Sequence, residues 1–302
     1  MSRYTPEQLN RYFQHIGYTP KAGDVSLECL TNIQRRQLAR VPFESVTLHY
    51  SKFHLLSLDP EDLFVKIVDN SRGGYCMELN TFFATVLRTL GFTLFSSGAR
   101  VKGGDSFSGW DHMVNIVTID GKRHLVDVGY GSNVPPLPVP LEHGFEFDAV
   151  LPARGKLEHR GIAEYSDPSQ RLWVFSTQDD GTAPWREQTC FLDHEFLPGD
   201  FQVMNLRTMT NPTSLFVKSV VATKIILDEQ AVRPVGVIIL FRNYVKRRIG
   251  DKAEIIENLE TEEDRVKALG TYFDIVLSAE DQRAIRGLAS ELRRTPLVVR
   301  DI

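Results

Sequence analysis

The segment "HMVNIVTIDGKRHLVDVGYG", residues 112 to 131, admits few conformations. Two runs that alternate apolar and polar residues flank Asp120-Gly121, a dipeptide suited to the type I′ turn whose twist matches that of a β-hairpin. The two runs must therefore fold back on each other. His112 lies eight residues before Asp120 and Asp127 seven after it, so the hairpin makes neighbours of a histidine and a carboxylate. A strand alternates its faces, which counts against the adjacent Asp111 as the carboxylate that meets His112. His124, within the second strand, has the look of a structural residue.

On the N-terminal side of the hairpin the period is helical. Thr5, Pro6 and Gln8 form a helix start, followed by Leu9, Tyr12, Phe13 and Ile16 at helical spacing. Further helices are predicted after Ser26, after Asp59-Pro60, and from close to Cys76 to Gly91. From Phe92 the pattern changes to short runs such as "MVNIVTI", "RLWVFST" and "VVATKIIL", separated by turn residues, and antiparallel, barrel-like strands are expected between about residues 92 and 200. The proline-rich "VPPLPVP", residues 134 to 140, should run extended along the surface. The last third mixes a hairpin, "PVGVIILFRNYVKRRIG", with two amphipathic helices, "TEEDRVKALGTYF" and "SAEDQRAIRGLASELRRT", capped by Thr261 and Ser278. The chain is thus expected to be α+β and multi-domain, with segments 1–91, 92–210 and 211–302.

With 25% charged residues and a net charge of −4, nothing marks the chain for nucleic acid. The N-terminus lacks a basic-then-apolar signal pattern and no apolar run approaches the length of a membrane span, so a cytoplasmic protein without membrane contact is expected. Cys29, Cys76 and Cys190 are an odd number without a CxxC pair, which argues against a disulfide framework and a cysteine zinc site. Each thiol must be judged alone.

Cys76 stands out because it opens a helix, where unpaired N–H groups and the positive end of the dipole favour a thiolate. Gly73 and Gly74 just before it are expected to leave room for another molecule to approach the sulfur. Local sequence leaves an inert and a nucleophilic Cys76 both open. A nucleophile needs a base and a group that orients the base, and the hairpin supplies both in His112 and Asp127. His15, His49, His54, His143, His159 and His194 lie on helix faces or in polar loops with no partner that sequence can name.

The set "RGGYCMELN" at 72 to 80, "VPFESVTLHY" at 41 to 50, "DHMVNIV" at 111 to 117 and "VDVGYG" at 126 to 131 resembles the arylamine N-acetyltransferase family. The resemblance implies a helical bundle carrying the nucleophile, a central antiparallel β-barrel carrying His and Asp, an α/β lid, and a cysteine-protease-like catalytic core. Its motifs map a catalytic triad onto Cys76, His112 and Asp127, and a structural ion pair onto Arg72 and Glu44. Phe43, Tyr130 and Phe216 would form a flat apolar pocket. Gly109, Gly131, Arg207, Thr213 and Ser214 would meet coenzyme A, and Arg207 could instead take the free carboxylate of a diacid acyl group. Ser45 stands where the family usually has Asn, so the loop after Phe43 is expected to differ in shape.

The implied reaction is transfer of an acyl group, acetyl by default and malonyl as the alternative, from acyl-CoA to an arylamine or arylhydrazine through an acyl-cysteine. No metal and no permanently bound cofactor is implied, and a monomer or weak homodimer in xenobiotic metabolism is the family expectation. Two rivals share the same residues: a cysteine hydrolase or transglutaminase-like enzyme, and a binding protein built on the same fold.

Overall fold

The computed structural model describes residues 2–292. The N-terminal third folds as α1 (Pro6–Ile16), α2 (Leu27–Arg40), the two-residue strand β1 (Phe43–Glu44), α3 (Pro60–Phe64) and α4 (Cys76–Leu90). The start of α1 is a reciprocal cap: Gln8 N–H donates to the Thr5 hydroxyl at 3.2 Å and Thr5 N–H donates to the Gln8 side chain at 2.8 Å. Ser26 and Asp59 cap α2 and α3, and α4 stops where Gly91 adopts φ 99°. The turn after α3 widens into a π-type turn over Val65–Asp69.

The middle third holds β2 (Thr93–Gly103), β3 (Ser106–Phe107), β4 (His112–Ile119), β5 (Lys122–Val126), β6 (Val139–Pro140), β7 (Phe145–Asp148), β8 (Arg154–Arg160), β9 (Leu172–Gln178) and β10 (Arg186–Phe191). They form one antiparallel, nearly closed barrel-like sheet in the order β6-β5-β4-β2-β10-β9-β8-β7, with β3 beside β2. Ile119 pairs with Lys122 across the turn, and Asp120 and Gly121 take φ 49° and 76°, the two left-handed residues a type I′ turn requires. The proline-rich stretch differs from expectation. Val134, Pro135, Pro136, Pro138 and Val139 are buried rather than on the surface, and Gln34 Nε2 donates to the Pro135 carbonyl at 2.9 Å. An apolar segment gains more from the core than from water once its carbonyls find donors.

The remaining elements are α5 (Pro198–Thr210), α6 (Leu215–Lys218), β11 (Val221–Leu227), β12 (Pro234–Phe241), β13 (Tyr244–Ile249), β14 (Lys252–Asn258), α7 (Glu262–Phe273) and α8 (Ala279–Ala284). A five-stranded sheet runs β1-β11-β12-β13-β14, so "VVATKIIL" belongs here as β11 rather than with the barrel. Its edge comes from the other end of the chain, with Phe43 paired to Thr223 and Glu44 to Ala222. The final helix is shorter than its periodicity predicts: α8 ends at Ala284, Gly287 takes φ 87°, and the rest of the expected helix past residue 292 lies outside the described residues.

Helices and strands share one core. Phe82, Phe83 and Val86 of α4 pack in the same apolar cluster as Val117 and Ile119 of β4 and Val126 of β5. That packing lays the first turn of α4 against the His112 end of the hairpin. Among the described residues no helix is long and apolar enough to cross a membrane, and no group of His, Cys, Asp and Glu is arranged to hold a metal ion.

Candidate active site

Cys76 is the first residue of α4, so its backbone N–H is among those at a helix start that no carbonyl one turn earlier accepts. Its side chain is only 3% exposed, and Sγ lies 3.7 Å from the carbonyl oxygen of Asp111. His112 opens β4. The hairpin register pairs Asn115 with Val126, and its continuation sets Asp127 opposite Val114, two residues from His112 on the same face. The diagonal closes with His112 Nε2 donating to Asp127 Oδ2 at 2.7 Å.

The other Asp127 oxygen, Oδ1, accepts from Asn80 Nδ2 at 2.9 Å and from the Gly129 backbone at 2.7 Å. Burial works against a charged His112, but the Asp127 carboxylate, through its field and its hydrogen bond, and a further bond to Cys76 outweigh it and raise the imidazole to about 10. His112 is therefore an imidazolium at neutral pH. The ring of Tyr130 meets the His112 ring edge-on, with centroids 5.3 Å apart.

Behind the cysteine lies a second buried carboxylate. Glu44 Oε1 accepts from Arg72 Nη2 and from the Gly73 backbone, both at 3.2 Å, and Oε2 accepts from the Val46 backbone. Burial pushes this carboxyl up, yet Arg72, Lys66 and the two N–H groups prevail and hold it below its usual value. The Arg72–Glu44 pair expected from the motif is thus present, and it braces the loop before α4. Gly73 and Gly74 do not serve an incoming molecule as expected. A Cβ on Gly73 would lie 1.7 Å from the carbonyl oxygen of Pro42, and one on Gly74 would lie 2.8 Å from Glu78 Cβ. The two glycines make room for the chain's own backbone and for Glu78, which accepts from Tyr75 N–H at 3.1 Å and from Lys66 Nζ at 2.6 Å.

Cys76 and His112 face a cavity of about 590 Å³. Phe43, Tyr130 and Phe216 line it, as do Gly109, Gly131, Arg207, Thr213 and Ser214. Every pocket and coenzyme candidate read from the sequence therefore meets this one space; Asp127 sits behind His112, out of it. Phe216 packs edge-on against Phe43 and Tyr75, with centroids 5.7 and 5.5 Å away. Thr213 Oγ1 donates to Asn211 Oδ1 at 2.9 Å, and the Ser214 hydroxyl caps α6 by accepting from Phe216 N–H at 3.3 Å, so Thr213 offers a ligand an acceptor and Ser214 a donor. His124, the rival base, is turned toward the Lys122 carbonyl, with Nδ1 3.1 Å from it.

Sequence reasoning missed Asn80. It lies one turn after Cys76 and stitches α4 to the hairpin, donating to the Met113 carbonyl at 2.7 Å as well as to Asp127, and accepting from Val128 N–H at 3.1 Å. An amide four residues after the cysteine shares its helix face, and that was the available signal.

The three thiols differ in setting. Burial pushes Cys29 up to about 11 and Cys190 up to about 12, and neither lines the cavity. Iodoacetamide near neutral pH should therefore alkylate Cys76 more than ~100-fold faster than either, as read by peptide mass spectrometry. Replacing His112 by alanine should slow the reaction at Cys76; equal rates at all three thiols would refute an activated cysteine.

Comparison with known proteins places the chain among acyl-transferring enzymes. The family model described as N-acetyltransferase matches residues 26–282. The chain is 39% identical over 287 residues to "N-malonyltransferase FDB2" of Fusarium pseudograminearum, covering 88% of this chain and 83% of that protein. It is 30% identical to "Arylamine N-acetyltransferase 1" of Oryctolagus cuniculus, covering 89% and 94%. Among solved structures, the arylamine N-acetyltransferase of Mycobacterium marinum in complex with CoA superposes with a TM-score of 0.77 at 25% identity, covering 92% of this chain and 98% of that one.

Proposed function

From the premise that this chain belongs to the arylamine N-acetyltransferase family, we propose that it transfers a malonyl group from malonyl-CoA to the nitrogen of an aromatic amine, through an acyl-cysteine at Cys76. The observation that carries the chemistry is the buried 2.7 Å contact between His112 and Asp127 beside a cysteine at a helix start. The malonyl group is supported by the name of the relative at 39% identity and by Arg207, a cation on the cavity wall suited to a free carboxylate. Acetyl, the donor of the wider family, is the competing outcome.

In the first half-reaction the Cys76 thiolate attacks the thioester carbonyl, and the backbone N–H groups at the start of α4, that of Cys76 included, stabilise the oxyanion. The intermediate collapses with loss of the CoA thiolate, which takes the proton of the His112 imidazolium. Asp127 keeps the imidazole oriented throughout. In the second, the amine attacks the acyl-cysteine, neutral His112 accepts the proton its nitrogen sheds, and the Cys76 thiolate leaves. Phe43, Tyr130 and Phe216 enclose the aromatic ring, while Gly109, Gly131, Thr213 and Ser214 meet the coenzyme. The three segments divide these tasks: 1–91 supplies the nucleophile, 92–210 the base and its orienter, and 211–302 the lid over the coenzyme. A cytoplasmic place in the detoxification of aromatic amines fits this chemistry.

Intact-mass spectrometry after incubation with acetyl-, propionyl- or malonyl-CoA, without amine, tests the reading. Malonyl-CoA should leave the largest fraction of adduct, and an aromatic amine should remove it as the amide. A dominant acetyl adduct would overturn the donor assignment, and free acid in place of amide at saturating amine would make the enzyme a hydrolase.

A further inference from the structure

His49 takes no part in the chemistry above, yet it is completely buried and every polar atom of its ring is engaged. Nε2–H donates to the carbonyl of Phe216 at 2.8 Å and is 3.1 Å from that of Ser219, while Nδ1 accepts from the Ser290 hydroxyl at 2.8 Å. Two carbonyls on one nitrogen require that nitrogen to carry the proton, which leaves Nδ1 as the acceptor. Burial, with the nearby Arg265 and His54, outweighs the two carbonyl bonds and lowers this imidazole to about 4, so the neutral tautomer persists at working pH.

The contacts continue into a closed ring. Ser219 Oγ accepts from Arg242 Nε at 3.0 Å, the Arg242 carbonyl accepts from Arg265 Nη1 at 3.2 Å, and Arg265 Nη2 donates to the Ser290 carbonyl at 2.9 Å. The Ser290 hydroxyl then returns to His49. Ser45, four residues before His49, holds the same turn: its hydroxyl donates to the Ser219 carbonyl at 3.1 Å and accepts from Val221 N–H at 3.2 Å. One loop, residues 45 to 49, thereby grips the turn that carries Ser214 and Phe216 into the cavity. On the far side of that turn a second cavity of about 1190 Å³ is lined by Lys218, Ser219, Arg265 and Ser290. The same short segment thus borders both spaces, Ser214 and Phe216 on one and Lys218 and Ser219 on the other.

We propose that His49 is a positioning residue for the acyl donor: it holds the Ser214–Ser219 turn, and with it Phe216, in the wall of the cavity, and couples that wall to the C-terminal segment through Ser290. The inference rests on the acyl-CoA reading above. It predicts a defect in donor binding that spares the bond-making groups, since neither Cys76 nor His112 touches the ring.

The test compares wild type with His49→Leu, His49→Gln and Ser290→Ala, measuring the rate of Cys76 acylation against acyl-CoA concentration and, separately, alkylation of Cys76. In His49→Leu the half-saturating acyl-CoA concentration should rise ~10-fold while the saturated acylation rate stays within ~2-fold. Alkylation should be unchanged. Gln, which keeps a donor and an acceptor, should restore most of the binding, and Ser290→Ala should show a smaller rise, ~3-fold, because the carbonyl bonds remain. Unchanged half-saturation in His49→Leu, or a Gln variant as impaired as Leu, overturns the proposal; should His49→Leu not fold, Ser290→Ala decides, a raised half-saturation with unchanged alkylation supporting the proposal and an unchanged half-saturation overturning it. A wild-type enzyme that no acyl-CoA acylates would sink the acyl-transfer reading itself, a result distinct from all of these.

Discussion

Replacing Cys76 by alanine is expected to abolish amine acylation, a loss on the order of 10⁶-fold in kcat, the scale seen when an enzyme loses its nucleophile. No other thiol can substitute. Cys29 and Cys190 are buried away from the cavity, and burial raises both well above the neutral range. The protein should keep its fold, because the change removes one sulfur from a cluster still held by Leu48, Tyr75, Met77, Met113 and Phe201. Two measurements check the prediction together: turnover with malonyl-CoA and an aromatic amine, and the intact mass after donor alone, which should show no adduct. Turnover at the wild-type rate would remove Cys76 from the mechanism.

The second large effect is expected from Asp127→Asn, roughly 10⁴-fold in the acylation rate, the magnitude associated with a misoriented catalytic histidine. The native carboxylate accepts three hydrogen bonds, from His112 on one oxygen and from Asn80 and Gly129 on the other. An amide has a single oxygen. Turned toward His112, it sets its NH2 group against the Asn80 and Gly129 donors; turned toward those two, it offers an N–H to Nε2 and forces the proton onto the other ring nitrogen.

Either way the field that keeps His112 charged is gone, and burial, which lowers the imidazole, takes over. The sign of the linkage follows. A histidine raised to about 10 contributes stability that is fully present below the ordinary value near 6.5 and is lost as pH rises through 10. Asp127→Asn should therefore be less stable than wild type most clearly at neutral and mildly acidic pH, with the difference narrowing above pH 10. Alkylation of Cys76 near neutral pH should be slower in the variant than in wild type, because the thiolate loses its imidazolium partner. Wild-type rates of both alkylation and acylation in Asp127→Asn would remove the carboxylate from the mechanism.

Much of the arrangement behind these predictions was legible in local sequence. The Asp-Gly turn and the two alternating runs specify the register of β4 and β5, and register alone puts His112 and Asp127 on one face. The caps at Thr5, Ser26, Asp59, Thr261 and Ser278 mark helix starts through bonds that span two or three residues. The errors were of a different kind. Gly73 and Gly74 suggest clearance for a ligand because sequence offers no view of Pro42 arriving from another element. "VPPLPVP" suggests a surface strap because nothing near it announces Gln34 as a partner for its carbonyl. The last helix is shorter than its sequence predicts because the amphipathic period continues past Ala284, where the element ends ahead of the turn at Gly287.

The sequence by itself determined a cysteine at a helix start, a histidine and an aspartate paired across a hairpin, and the family whose motifs these are. Those features rest on backbone geometry that repeats every two or every 3.6 residues, so a short stretch suffices to specify them. Only the tertiary structure decided that Asn80 holds Asp127 and that β1 closes the edge of a sheet built from the other end of the chain. It alone brought His49 to Ser290, 241 positions away. Such contacts depend on which buried surfaces meet once the core has formed, and no period along the chain records that choice.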